Sequence, residues 1–239
     1  MKKIFDSVSA ALINAWKKQM DIPLPRFLDG FSGDPGNFEC AAFPLLGWLC
    51  ALAAVLPGIF VAAIFTPLAG ALVFALCAWV LLTFRDSGKS DAMLANFIAG
   101  LLPGEAIPWR MVVPVMLIFI KFILLMAIFR YGNAWHLMLV TGAAFTMETM
   151  LTLNGNFLPP LLNDSPESRR NMWITASILL FISFLLCRLP SALAALAFAL
   201  LWKVFQNRTV SNGGTTLAEV SFAGGITCWI SLFIGALVI

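Results

Sequence analysis

The sequence predicts an all-α, polytopic membrane protein of about seven transmembrane helices, preceded by an N-terminal amphipathic interfacial helix. Three observations predict it. Of the 239 residues, 61% are apolar and 11% carry a formal charge, against roughly 25% charged in ordinary soluble domains. Uncharged apolar runs recur along the chain, separated by polar segments rich in Gly, Pro and charge. The basic residues gather in alternate connections, the signature of a multi-pass chain with a fixed orientation.

The same composition excludes several classes. Disorder needs low hydrophobicity, a nucleic-acid-binding domain needs clustered Lys and Arg, and a disulfide scaffold needs dense cysteine. The five cysteines, Cys40, Cys50, Cys77, Cys187 and Cys228, lie in or beside apolar runs, without a C-x-x-C pair and with a single histidine in the chain. They read as small packing residues, and a Cys/His zinc site is excluded.

Residues 1–39 form a cytoplasmic amphipathic helix and a polar segment, and residues 40–239 the transmembrane helical domain. Met1-Lys2-Lys3 imitates the basic start of a signal peptide, but Asp6, Ser7 and Ser9 interrupt the apolar core such a peptide needs, so the N-terminus reads as retained. Ile4, Phe5, Val8, Leu12, Ala15, Trp16 and Met20 share one helical stripe, with Lys2, Lys3, Lys17 and Lys18 at the two ends. That stripe suits a helix lying in the interface of an anionic leaflet, and equally a helix packed on the rest of the protein. Asp21 to Glu39 is rich in Pro, Gly and Asp, which favour turns.

Cys40 to Phe84 is a run of 45 residues without a formal charge, long enough for two spans and a tight turn, with Leu56-Pro57-Gly58 as the expected break. A polar segment from Arg85 to Arg110 follows. The third span runs from Met111 to Phe129 and carries Lys121. After the turn Arg130-Tyr131-Gly132-Asn133, the fourth runs from about Ala134 to Leu153 and carries Glu148. Beyond the polar loop Asn154 to Asn171, Met172 to Cys187 and Ser191 to Trp202 read as a helical hairpin around Arg188-Leu189-Pro190. A last polar loop, Lys203 to Glu219, leads to the final uncharged run, Val220 to Ile239.

With a cytoplasmic N-terminus and an outside C-terminus, twelve basic residues fall on the cytoplasmic side and two, Arg130 and Arg188, on the far side. This asymmetry places the chain in the cytoplasmic (inner) membrane. Every acidic residue except Glu148 falls on the cytoplasmic face as well, so that face is where chemistry is expected.

Three constellations could carry it. The loop Arg85-Asp86-Ser87-Gly88-Lys89-Ser90-Asp91 offers two carboxylates around a glycine. Mg²⁺ binds through a few carboxylate oxygens and borrows phosphate oxygens from its substrate, so the pair suits phosphoryl transfer; a solvated loop is the plain alternative. Lys121 and Glu148 are charges within spans, costly there and so expected to be paired or functional. At about 1.5 Å per residue, Lys121 lies about 15 Å and Glu148 about 8 Å from the cytoplasmic ends of their spans, a gap a lysine nearly covers. A structural pair, a phosphate contact by Lys121 and snorkelling towards lipid headgroups are the readings. Asn212-Gly213-Gly214-Thr215-Thr216 stands before the last span, where glycines allow close backbone approach to a ligand and amides can hold an anion; a capped turn is the alternative. Arg26 and Arg169-Arg170 could meet phosphates or anchor the cytoplasmic face. His136, beside Trp135, reads as interfacial.

The order of these features resembles the integral-membrane cobalamin synthases (adenosylcobinamide-GDP ribazoletransferases). Ile22-Pro23-Leu24-Pro25 is similar to the family's L-P-x-P, and Phe43-Pro44-Leu45-Leu46-Gly47 to the F-P-L-x-G that opens its first span. Arg85-Asp86-Ser87-Gly88-Lys89-Ser90-Asp91 stands where the family has L-D-G-x-A-D-x-x-D-G. Lys121 matches a family lysine in the next span, and Gly213-Gly214-Thr215-Thr216-Leu217-Ala218 is similar to its G-G-x-x-G-D-x-L-G-A. The Asp spacing here is five rather than four, a third Asp is absent, the Asp of the late glycine motif is absent, and Met147-Glu148 stands in place of Ser-Arg.

The resemblance implies a membrane transferase that joins a GDP-activated corrinoid to α-ribazole or its phosphate and releases GMP. It implies Mg²⁺ on Asp86 and Asp91, charge neutralisation by Lys121 or Arg85, and nucleotide contact at Gly213 and Gly214, with Arg26 a further substrate-binding candidate. The departures from the motifs motivate a second expectation, a non-catalytic membrane subunit or scaffold; under either reading the expected partners are the lipid bilayer and a second copy of the chain in a homo-oligomer. A small-solute transporter using Lys121 and Glu148 is a third, weakened by the lack of a visible inverted repeat.

Overall fold

The computed structural model describes residues 2–20, 23–24, 26, 34–86, 88, 91–92, 94–96, 106–132, 136, 138–143, 146, 166–187 and 216–237. Helices make up its elements: α1 (Lys2–Gln19), α2 (Ala42–Ile64), α3 (Pro67–Asp86), α4 (Ala106–Tyr131), α5 (Pro166–Cys187) and α6 (Thr216–Leu237), with a short 3₁₀ turn at Gly36–Phe38. No strand occurs among the described residues.

Among the described residues three helical stretches are long and apolar enough to cross a membrane: Ala42–Ile64, Pro67–Phe84 and Met111–Tyr131. The expected run Met172 to Cys187 lies within α5, and the final run falls largely within α6. Of the expected fourth span, residues 136, 138–143 and 146 are helical. Ser191 to Trp202 lies outside the described residues, as does Glu148.

The first two spans form a hairpin, but it breaks at a different place from the one the sequence suggests. α2 continues through Pro57 and ends at Ile64, with Phe65 as its C-cap. The chain turns at Phe65-Thr66 instead. Thr66 Oγ1 accepts the Ala69 N–H at 3.1 Å, and Pro67 occupies the first helical position, where its missing N–H costs nothing. Pro57 removes one internal hydrogen bond, a loss that membrane helices tolerate when neighbouring helices pack around the freed group. That packing is close. A Cβ on Gly58 would lie 2.7 Å from Phe74 Cβ, and one on Gly70 would overlap Ala62 and the Gly58 carbonyl. The apparent breaker Pro57-Gly58 is therefore part of a small-residue contact between α2 and α3.

α4 runs antiparallel to α3. Phe74 stacks against Phe129 with ring centroids 5.5 Å apart, and Trp79 against Phe122 at 6.2 Å, so ascending positions on α3 meet descending ones on α4. The exposed stripe of α4 is apolar (Val112, Val115, Met116, Phe119, Ile123), while its buried stripe contains Lys121, Leu125 and Ile128. A helix that turns apolar side chains outward and a lysine inward has the polarity of a protein solvated by lipid. Leu125 and Ile128 join Leu232 of α6 in the core, which continues through Phe43, Leu46, Phe74 and Ala75.

The N-terminal helix packs on the rest of the protein, one of its two expected roles. Ala11, Ala15 and Met20 are buried in the core and Leu12 and Trp16 pack against it, whereas Phe5 is 69% exposed. α1 lies against α2. The polar segment then fastens it. Lys18 Nζ donates to Glu39 Oε1 at 2.6 Å, with the Glu39 side chain wholly buried. The adjoining Cys40 N–H donates to Ser168 Oγ at 3.3 Å, tying the same corner to the first turn of α5. Thr146 Oγ1 donates to the Pro44 carbonyl at 3.3 Å, bringing the fourth apolar run against the start of α2.

Candidate functional site

The site is built where α3 gives way to the next segment. Arg85 and Asp86 form the last turn of α3. Gly88 follows with φ +72°, a left-handed conformation that costs glycine no side-chain clash. Its N–H closes back onto the Thr83 carbonyl at 3.0 Å, and its own carbonyl accepts the Ala92 N–H at 3.0 Å. These two bonds close the end of α3 and lead into the helical residues Asp91 and Ala92. Leu94 and Ala95, just beyond, are buried.

The turn brings Asp91 to Lys121. The ammonium donates to Oδ1 at 2.9 Å and to Oδ2 at 3.2 Å. Lys121 is nearly sealed, with 4% of its side chain exposed, while 28% of Asp91 remains open. A buried ammonium is expensive in an apolar medium unless a carboxylate or other acceptor meets it. Asp91 supplies a counter-charge from 30 residues away; Glu148, the partner the sequence suggests, lies outside the described residues.

A cavity of about 370 Å³ adjoins the pair, and its walls include Trp79 and Thr83 of α3, Gly88, Asn96, and Pro114 and Ile118 of α4. The antiparallel register explains the composition. With Trp79 opposite Phe122, Thr83 comes level with residues about one turn before Lys121. Thr83 Oγ1 is buried without a hydrogen-bond partner. Another cavity, about 420 Å³ between α1 and α2, is lined by Phe5, Ser9, Leu12, Trp16 and Leu46 among others, with no charged side chain among the described residues of its wall. Charge adjoins enclosed volume at the Lys121 cavity and also at a third, about 660 Å³, beside Arg130.

The candidate residues fall into three groups. Asp91 and Lys121 meet. Asp86 and Arg85 stand on the preceding helical turn, five and six positions before Asp91 along the chain. Arg26 is exposed and is not among the residues lining the cavity, while Gly213 and Gly214 lie outside the described residues. Sequence reasoning did not single out Thr83 and Asn96. Thr83 lies inside the uncharged run, where it reads as span filler, and its visible signal is its place one turn before the Asp-containing loop.

The donor set suits oxyanion chemistry better than a protein-only metal cage. Among the described residues, no three of His, Cys, Asp and Glu come together. One or two carboxylates with substrate phosphates are nonetheless what Mg²⁺ commonly uses, and Asp86 and Asp91 flank one tight turn. No protein-family model, curated protein or solved structure matches the chain.

Proposed function

We propose that this chain is a membrane transferase of the cobalamin-synthase type, which joins a GDP-activated corrinoid to α-ribazole or its phosphate and releases GMP. The observation that carries the reading is the Asp91–Lys121 contact beside a cavity of about 370 Å³, at the loop and lysine where the family resemblance locates its chemistry. The N-terminus and the long polar loops face the cytoplasm of an inner membrane, in keeping with twelve basic residues against two.

In this reading the ribazole 5′-hydroxyl oxygen bonds to the corrinoid-linked phosphorus, the bridging P–O bond to GMP breaks, and the hydroxyl proton is released. Lys121 holds negative charge on the phosphoryl oxygens. As the resemblance implies, Arg85 assists in this, and Gly213 and Gly214 contact the nucleotide. Asp86 and Asp91 would hold Mg²⁺, which supplies charge neutralisation across a diphosphate. Positioning and electrostatics provide most of the rate in such transfers. Purified protein given both substrates and Mg²⁺ should release GMP, and Asp86→Asn should release far less. Equal turnover by that variant would remove Asp86 from the metal site.

A non-catalytic membrane subunit is the second reading, favoured by the two-point grip of Lys121 on Asp91, which also suits a structural ion pair. GMP release by the isolated protein eliminates it.

A further inference from the structure

We propose that Thr83 and Lys121 together form an oxyanion subsite in the cavity between α3 and α4, and that Asp91 is an internal occupant which an incoming phosphate group displaces. This rests on the transferase reading for its substrate, and it adds a binding residue and an exchange of partners.

The hydroxyl of a threonine in an apolar helix normally bonds back to a carbonyl of the preceding turn. Thr83 does not. Its Oγ1 is buried and without a partner, although its residue lines the same cavity as Lys121 and Asp91. Buried hydroxyls are satisfied in most proteins, and Thr83 Oγ1, sealed from solvent in a residue of this cavity's wall, gains a partner when the side chain turns to a ligand there. The volume, about 370 Å³, falls in the range of small-molecule sites, roughly 300–1,000 Å³.

The ligand's charge follows from what already sits there. Lys121 holds a carboxylate through both oxygens, so a neutral ligand has nothing to gain against Asp91. A phosphate group carries several acceptor oxygens and can take one bond from the ammonium and another from the hydroxyl together. Asp91 makes the first contact and not the second. It stands on a short segment behind Gly88 and is 28% exposed, so it can withdraw towards solvent while Lys121 stays buried. A free diphosphate and an anionic lipid headgroup present the same chemistry.

The test uses the full-length protein in phosphatidylcholine nanodiscs, titrated with inorganic pyrophosphate by calorimetry without Mg²⁺. Wild type should bind. Thr83→Val, which removes the hydroxyl and keeps the shape, should raise Kd about tenfold, the scale of one hydrogen bond to a charged group. Thr83→Ser should stay within about threefold of wild type, since it keeps the donor. Asp91→Asn should bind more tightly because the competing carboxylate is gone. Repeating the titration in phosphatidylglycerol separates the sources: Thr83-dependent loss of pyrophosphate binding there assigns the subsite to a lipid headgroup. No binding by wild type in either lipid, or equal binding by Thr83→Val, overturns the subsite; weaker binding by Asp91→Asn overturns the displacement. GMP release by the same variants keeps the two proposals apart. An unchanged KM in Thr83→Val removes the subsite and leaves the transferase standing, whereas Thr83-dependent binding without GMP release does the reverse.

Discussion

Lys121 Nζ and the Asp91 carboxylate meet at 2.9 and 3.2 Å, the lysine sealed inside the helices and the aspartate partly open. Removing Asp91 takes a counter-charge from a buried ammonium. Asp91→Ala should lower stability by roughly 3–5 kcal/mol, the scale of breaking a buried ion pair. Adding Lys121→Met to it should recover most of that loss, because an apolar pair of similar volume needs no counter-charge. Denaturant titration in detergent compares the three proteins. A double variant no more stable than Asp91→Ala would show that the pair is not a closed electrostatic unit.

The second ion pair makes a different prediction. Glu39 is completely buried while Lys18 keeps 14% exposure, so the carboxylate bears most of the desolvation. Glu39→Ala should free the corner between α1 and α2, exposing α1 to limited proteolysis. Glu39→Gln, which keeps a hydrogen-bond acceptor for Lys18, should protect α1 better than alanine does. Equal cleavage of wild type and Glu39→Ala would place the anchoring of α1 in its apolar face alone.

Thr66, rather than Pro57, ends the first hairpin. Thr66→Val should cost about 1 kcal/mol through loss of the α3 N-cap, with Thr66→Ser close to wild type. Pro57→Ala should leave the hairpin in place, since α2 already continues through that position. Thermal unfolding ranks the three. A larger loss for Pro57→Ala than for Thr66→Val would restore the proline as the turning point.

Gly70 touches the α2 backbone, and an added methyl overlaps Ala62 and the Gly58 carbonyl. Gly70→Ala should therefore destabilise the α2–α3 contact by roughly 1–3 kcal/mol, as overpacking does. Leu72→Ala, one turn end away on an exposed position of α3, should lose less. Midpoints of unfolding in the same detergent decide between them.

Much of this architecture was legible from the order of apolar and charged residues. Scarce charge and long apolar runs identify a helical membrane protein, because backbone polar groups in lipid must be satisfied within the helix itself. Two spans between Cys40 and Phe84 were countable for the same reason, yet their boundary was not. Pro57-Gly58 has the composition of a turn, and only the close approach of Gly70 shows that it serves packing.

The sequence by itself determined the environment, the helical class and the presence of a lysine that needs company inside a span. The tertiary structure decided that a loop residue, Asp91, joins its company. Counting depth along the chain considers residues already within a span, as Glu148 is, and passes over one that the turn at Gly88 brings back against α4. The same fold places Thr83, unremarked in an apolar run, in the wall of the cavity that Lys121 and Asp91 line, its hydroxyl buried and without a hydrogen-bond partner. Such contacts depend on how antiparallel helices align and on where the chain reverses, and neither is set by the spacing of residues along one helix.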